Sequence, residues 1–288
     1  MYQGGLGVPV NPKEAAIWYD KAAQGGVVGA FAKLAQLYGR GDGIAKDSDK
    51  AITYARLSNQ LGDPEGSLFL YVLLNTGPLS KLDNAGKPDR TKYQKLAARP
   101  VSDRALDIEA QDALYRAAEK NLPVAQILLG LGLGGTIGDG NRERMLAIIA
   151  KISNNTNQGL KSYEQVAKHM EQLGKTYTSP QLFLDAQVSQ MVAGMLQTCG
   201  IGDTKQAEKP PIAELIATSI SKPVSDAVYL PSKVLGNEHA YLVSGEWEEI
   251  WTYRGCNKTA DVTVKFTADG LGGAFLASTQ KPTINLTQ

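Results

Sequence analysis

Ala30-Phe-Ala-Lys-Leu34-Ala-Gln-Leu-Tyr38-Gly-Arg-Gly41-Asp-Gly43, continued by Asp49-Lys50-Ala51-Ile52-Thr-Tyr54-Ala55-Arg56-Leu57 and closed at Gly62, is the stretch whose reading decides the fold. A small residue, a Leu four positions on and a Tyr four beyond that share one helical face. A glycine-rich turn follows, then a second helix built on Ala and Tyr. The glycines let the backbone reverse where a Cβ would clash. Small residues allow two helices to approach closely, and large ones fill the space between neighbours. The stretch reads as one helix-turn-helix unit, and the fold depends on whether it recurs.

The unit recurs on both sides. Upstream, Tyr2, Gly7, Ala16 and Tyr19 fall on Tyr38, Gly43, Ala51 and Tyr54, so the chain begins inside a repeat whose first helix is lacking. This predicts a longer precursor, with an export signal ahead of Met1. Downstream, Gly66, Leu70 and Leu74 take the places of Ala30, Leu34 and Tyr38. The turn of this third unit is expanded by an insertion, residues 78–100, rich in Lys, Asp, Gly and Pro with a short helix over 90–98. Its return helix runs to Asn121, with Ser102 or Asp103 as N-cap. A fourth, weaker unit has Ala125, Leu129 and Leu133, a turn at Gly134, Gly135, Gly138 and Gly140, and a return helix over Arg144 to Ile152.

Two further helices are expected from Leu160 to Leu173 and, behind an N-cap and first-turn proline at Ser179-Pro180, from Leu182 to Leu196. After Gly200 the pattern changes. Residues 201–237 read as a polar linker with a short helix over Ala213 to Ser221. From His239 the alternation becomes strand-like, most strictly at Val262, Val264 and Phe266, and predicts three or four antiparallel strands. The expected organisation is a helical solenoid over 1–200, the linker over 201–237 and a β-rich C-terminal part over 238–288. The fold class is mainly α, an α-solenoid of helix-turn-helix repeats with a small C-terminal antiparallel sheet.

Composition removes several function classes. A hydrophobic fraction of 43% with 20% charged residues describes an ordinary globular protein. A formal charge of +1 without a basic stripe argues against nucleic acid as a partner. Sequence inspection finds neither a stretch apolar enough to span a bilayer nor a signal peptide at Met1. Two cysteines, Cys199 and Cys256, leave open one disulfide or two buried thiols. A bridge would tie the helical part to the β-rich part and indicate an oxidising compartment. The two histidines, His169 and His239, lack metal-ligand spacing, so no metal or cofactor is expected.

The quoted residues resemble the Sel-one-like repeat family, a relative of the tetratricopeptide repeats. Gly4 to Gly26 and Val28 to Gly62 match its pattern well, Pro64 to Asn121 matches around the insertion, and Val124 to Ile152 matches loosely. The chain departs from it at Thr53, where Trp is expected, and at Leu57-Ser58, where Ala-Ala is expected. The resemblance implies a superhelix of helix pairs and a non-catalytic scaffold or adaptor that binds another protein in the bacterial periplasm. Some relatives neutralise phospholipase effectors of type VI secretion as immunity proteins, and others assist envelope assembly. Two rival readings belong to other classes. One is a hydrolase of cell-wall or lipid material, and the other is a structural envelope component pairing through its C-terminal sheet.

Individual motifs have plainer explanations. Gly130, Gly132 and Gly135 spell the dinucleotide fingerprint, but a repeat helix rather than a strand precedes them. Consecutive Glu248 and Glu249 face opposite sides of a strand and cannot act as a paired acid and base. Trp18, Tyr19, Tyr38 and Tyr54 occupy helix-packing positions and read as core. Trp247, Trp251 and Tyr253 share a face with the charged Glu249; core or cap packing is the leading reading of these rings, and the alternative is that one ring at an edge is exposed as a partner anchor. The expected partner contacts are Lys33, Gln36, Arg40, Gln126, Trp251 and the insertion; no catalytic residue is assigned.

Overall fold

A computed structural model describes residues 1–132, 158–200, 212–232, 234 and 239–285. Four helices of equal length open the chain: α1 (Pro12–Gln24), α2 (Val28–Arg40), α3 (Ser48–Gln60) and α4 (Pro64–Thr76). Their starts follow from local chemistry. Asn11, Asp47 and Asp63 accept backbone amides of the first turns of α1, α3 and α4. Pro12 and Pro64 stand where no amide is needed. Gly41 closes α2 at φ +74, a left-handed conformation that suits glycine.

The repeat register appears directly in the burial. Ala35, Ala51, Ala55, Leu70 and Leu74 are fully buried, and Tyr38 stacks on Tyr54 with ring centroids 5.8 Å apart. Gly66 brings α4 so close to α3 that a Cβ there would overlap the Ser58 side chain. The insertion folds back on itself through a bridge between Leu82 and Pro88 and carries α5 (Arg90–Ala97), capped by Asp89. Arg99 grips Asp107 at 2.7 and 2.8 Å, and the buried Arg104 donates to the carbonyls of Ala97 and Arg99. A 3₁₀ turn, Val101–Asp103, leads into α6 (Ala105–Glu119). The expected cap is therefore corrected. The turn absorbs Ser102 and Asp103, Arg104 takes the N-cap position, and no side chain accepts there. Helix α7 (Pro123–Gly132) follows. The turn and return helix expected over 134–152 lie outside the described residues.

The chain divides into two compact units: residues 1–129 with 232–237, and residues 130–231 with 238–288. The first is the repeat array, to which Ser232 is tied by donating to Asp112 at 2.6 Å. The second joins α8 (Gln158–Leu173) and α9 (Pro180–Thr198) to a sheet of β1 (Glu214–Pro231), β2 (His239–Gly255), β3 (Lys258–Ala268) and β4 (Ala274–Asn285). The strands form an antiparallel meander in the order β1-β2-β3-β4.

Two expectations change here. The short helix over 213–221 is the start of β1. Ile216, Thr218 and Ile220 are β-branched, and β2 supplies the pairing partners that no local rule reveals. Helices α8 and α9 pack on the sheet instead of extending the repeats, because Met170, Leu173, Leu182, Phe183 and Ala186 belong to its core. Cys199, at the C-cap of α9, forms a disulfide with Cys256 in the β2–β3 turn, Cα atoms 5.2 Å apart. Its loop of 57 residues is worth roughly 4 kcal/mol in the chain-entropy account.

Candidate functional site

On α2, Lys33, Gln36 and Arg40 recur at helical spacing along one side. The first helices of successive repeats, α2 and α4, bound a groove of about 320 Å³. Gln36, Gly39 and Arg40 line one wall, and Leu68, Phe69, Val72, Leu73 and Thr76 line the other. The helices can come this close because position 39 is glycine: a Cβ would meet the Leu73 side chain at 3.0 Å. At one end Lys33 donates to Glu65 at 2.7 Å, an exposed pair worth well under about 1 kcal/mol. At the other end Arg40 is exposed and makes no hydrogen bond or ion pair among the described residues. Val72, 37% exposed, leaves an aliphatic surface between these ends. The result is an apolar trough with a neutralised mouth and a free guanidinium at the opposite end. It suits an apolar side chain flanked by an acceptor or a carboxylate.

The other expected contacts are corrected. Gln126 is buried, and its amide donates to the Ala118 carbonyl at 3.1 Å and to Asn121 at 3.4 Å. It joins α7 to the end of α6 and presents nothing to a partner. Trp251 is fully buried, as are Trp247 and Tyr253. The charge of Glu249 points to an exposed face, but the carboxylate is itself sealed at 0% exposure. Trp247 and Trp251 donate their indole N–H groups at 3.0 and 2.9 Å. The Tyr177 amide and the Thr176 hydroxyl donate at 2.8 Å each. Burial pushes this carboxyl above its ordinary range, and the four donors oppose that rise. A buried carboxylate is tolerated where its lone pairs are filled, and the strand register alternates Trp, Glu and Trp to fill them.

Trp18 also departs from its expected core role. It is 54% exposed, beside a second hollow of about 390 Å³ lined by Met1, Tyr2, Gln3, Ala15 and Tyr19, and Lys21 lies 4.7 Å from its ring centre. Sequence reading missed Leu68, Phe69 and Val72. A signal was present, because Pro64–Thr76 is apolar around most of its circumference, more than a helix with one buried face requires.

Other candidates acquire plain geometries. His169 is exposed with its ring edge toward Phe183, and among the described residues it makes no hydrogen bond to a carboxylate. Glu248, on the sheet face opposite Glu249, pairs with Lys222 at 2.8 Å. Gly130 and Gly132 lie within α7, so a helix occupies the place of the strand a dinucleotide site needs; Gly135 lies outside the described residues. The side chain of His239 is likewise outside them. No described helix is long and apolar enough to cross a membrane. Among the described residues no cluster of three or more His, Cys, Asp or Glu could hold a metal ion.

Comparison with known proteins bears on the first unit. A profile of the Sel1 repeat matches residues 1–27 and 32–63. Among solved structures, a Sel1 repeat protein from Oxalobacter formigenes matches at 24% identity with a TM-score of 0.30, covering 66% of this chain and 84% of that one. No curated protein matches the chain.

Proposed function

We propose a protein-binding role for this chain, whose N-terminal part belongs to the Sel1 repeat family, with the α2–α4 groove as the contact surface. Sel1 repeats are generally protein–protein interaction modules. The observation that carries the assignment is the groove itself. It presents exposed Val72 and, at its end, an Arg40 that makes no ion pair among the described residues, on first helices held at close range by Gly39. Preformed repeat surfaces bind through shape and a few anchors, and Gln36, Arg40 and Val72 are the anchors assigned here.

The setting assigned to this binding is the bacterial envelope, with the periplasm as the compartment. The disulfide Cys199–Cys256 favours an oxidising location, and the absence of an apolar spanning helix among the described residues is compatible with export. The partner is a protein that this chain neutralises or helps to assemble. Immunity to a secreted effector is the version with the sharpest phenotype. A hydrolytic role is disfavoured by Glu249, whose oxygens are occupied by donors and closed to solvent. Pairing through the β1 edge of the sheet is disfavoured by Pro223, Pro231, a φ of +50 at Asp226 and repeated register shifts along that strand.

The test places a photo-crosslinking amino acid at Val72 or Gln36 in the protein expressed in its native cells. A discrete adduct that disappears with Arg40→Glu is the expected result. No adduct from either position, alongside turnover of a cell-wall or lipid substrate by the purified protein, would sink the assignment.

A further inference from the structure

The groove ends at Arg40 and Thr76, and the insertion begins two residues beyond Thr76. Its start doubles back on the end of α4, with the Leu79 amide donating to the Leu74 carbonyl and the Ser80 amide to that of Gly77. Lys81 is therefore reached within five residues of the groove wall, a span of at most about 17 Å even if fully extended.

Charge is concentrated in this segment. Residues 78–100 hold six of the chain's 30 lysines and arginines but only two of its 29 acidic residues, so the rest of the chain is net acidic. Two of the six are used internally: Lys92 donates to the Leu82 carbonyl at 2.7 Å, and Arg99 holds Asp107. The two aspartates are also engaged, Asp83 closing its own turn and Asp89 capping α5. Lys87, Arg90 and Lys95 are exposed and make no ion pair among the described residues, while Lys81 lies over the Tyr93 ring at 5.7 Å. Arg40 stands at the end of the apolar trough, and the chain that leaves the same end at Thr76 leads directly into the segment that carries Lys87, Arg90 and Lys95.

We infer that the insertion is the second half of the same binding surface, and that the partner segment is an amphipathic peptide whose apolar residues are followed by an acidic stretch. This rests on the groove reading above and adds the partner's chemistry and direction. Its apolar side chains lie against Val72 and Leu68, and its carboxylates meet Arg40, then Lys87, Arg90 and Lys95. A protein segment fits better than a lipid surface. The insertion exposes one large apolar side chain, Leu82 at 44%, and turns Leu96 toward the core, which leaves little to enter a bilayer.

The experiment titrates the full chain with two fluorescent peptides that share leucines at helical spacing in one half and differ in the other, which is poly-glutamate or poly-lysine. Phosphatidylglycerol vesicles form a third arm. The glutamate peptide is expected to bind, more weakly as salt rises. The triple change Lys87→Glu, Arg90→Glu and Lys95→Glu should weaken it about tenfold or more. The milder triple change to Gln should have a smaller effect of the same sign, and circular dichroism should confirm unchanged folding for both. Val72→Glu should also abolish binding. If Val72→Glu abolishes binding and charge reversal changes nothing, the insertion's role is overturned and the groove stands. If charge reversal weakens binding and Val72→Glu does not, the groove reading falls and the joint surface with it. Equal binding of both peptides, no binding of either, or binding of vesicles alone would each overturn the inference.

Discussion

The two units solve the same burial problem with opposite materials. The repeat array is sealed by alanines and leucines without a large buried ring cluster among its described residues: Ala35, Ala51, Ala55, Ala110, Ala113 and Ala117 are all 0–1% exposed, as are Leu34, Leu70, Leu74 and Leu114. The sheet unit is sealed by Trp247, Trp251, Tyr253, Phe183 and Phe266, all equally buried, around one carboxylate. Small residues give close helix approach and many modest contributions, whereas large rings concentrate the stabilisation in a few places. The array can therefore carry an expanded turn and an open groove, each costing little. The sheet unit depends on a handful of side chains and is braced by a disulfide. The proposed binding surface lies on the array, where that tolerance is found.

The strongest way to break the contrast is Glu249→Leu. Four buried donors lose their acceptor at about 1–3 kcal/mol each, so a loss above about 4 kcal/mol is expected. Urea unfolding followed by tryptophan fluorescence reads it selectively, because two of the three tryptophans are buried in the sheet unit and Trp18 is half exposed. A loss below about 1 kcal/mol would mean the carboxylate is not the keystone of that core.

Next in size is Cys256→Ser, with an expected loss of roughly 4 kcal/mol and the same effect on adding reductant. Gly66→Ala probes the array. The new methyl would overlap Ser58, and overpacking of this kind costs about 1–3 kcal/mol. Thermal melts should show it as a smaller shift than either change in the sheet unit. Arg40→Glu is expected to move stability by less than about 0.5 kcal/mol while removing the groove crosslink.

The pH dependence sharpens the comparison further. Glu249 holds its proton to higher pH in the folded state than in the unfolded chain, because burial penalises the charge. In the window above the unfolded carboxyl pKa of about 4.3, the folded form binds more protons, so this contribution to stability falls as pH rises until the folded pKa is passed. Glu249→Gln should flatten that slope in denaturation curves collected at successive pH values. An unchanged slope would assign it to other groups.

Much of the array was legible before any coordinates. A helix-turn-helix period is carried by residues within one repeat length, and the small-Leu-Tyr spacing, the glycine turn and the Asn or Asp caps are all local signals. The groove was half legible. Gln36 and Arg40 follow from the exposed stripe of α2, but the apolar wall of α4 reads as ordinary core until the described helices leave it uncovered. Gln126 holds a first-helix position equivalent to those of α2, and Trp251 shares a face with a charged residue, but both are buried because other segments supply the hydrogen-bond partners of Gln126 and of Glu249. The β1 strand was missed because its partners begin eight residues beyond its end, and the run Glu-Leu-Ile-Ala-Thr suits a helix equally well until β2 is paired with it.

By itself, then, the sequence determined the repeat architecture, the four-helix opening, the basic insertion and the alternating strands from β2 onward, since each is written in spacing along a short piece of chain. Tertiary structure decided which unit α8 and α9 join, that the cysteines meet, that Glu249 is sealed by two indoles, and that Val72 and Arg40 share one trough. These depend on residues far apart in the chain arriving at one place. Burial, hydrogen-bond satisfaction and close packing reward such meetings only once the whole fold has formed.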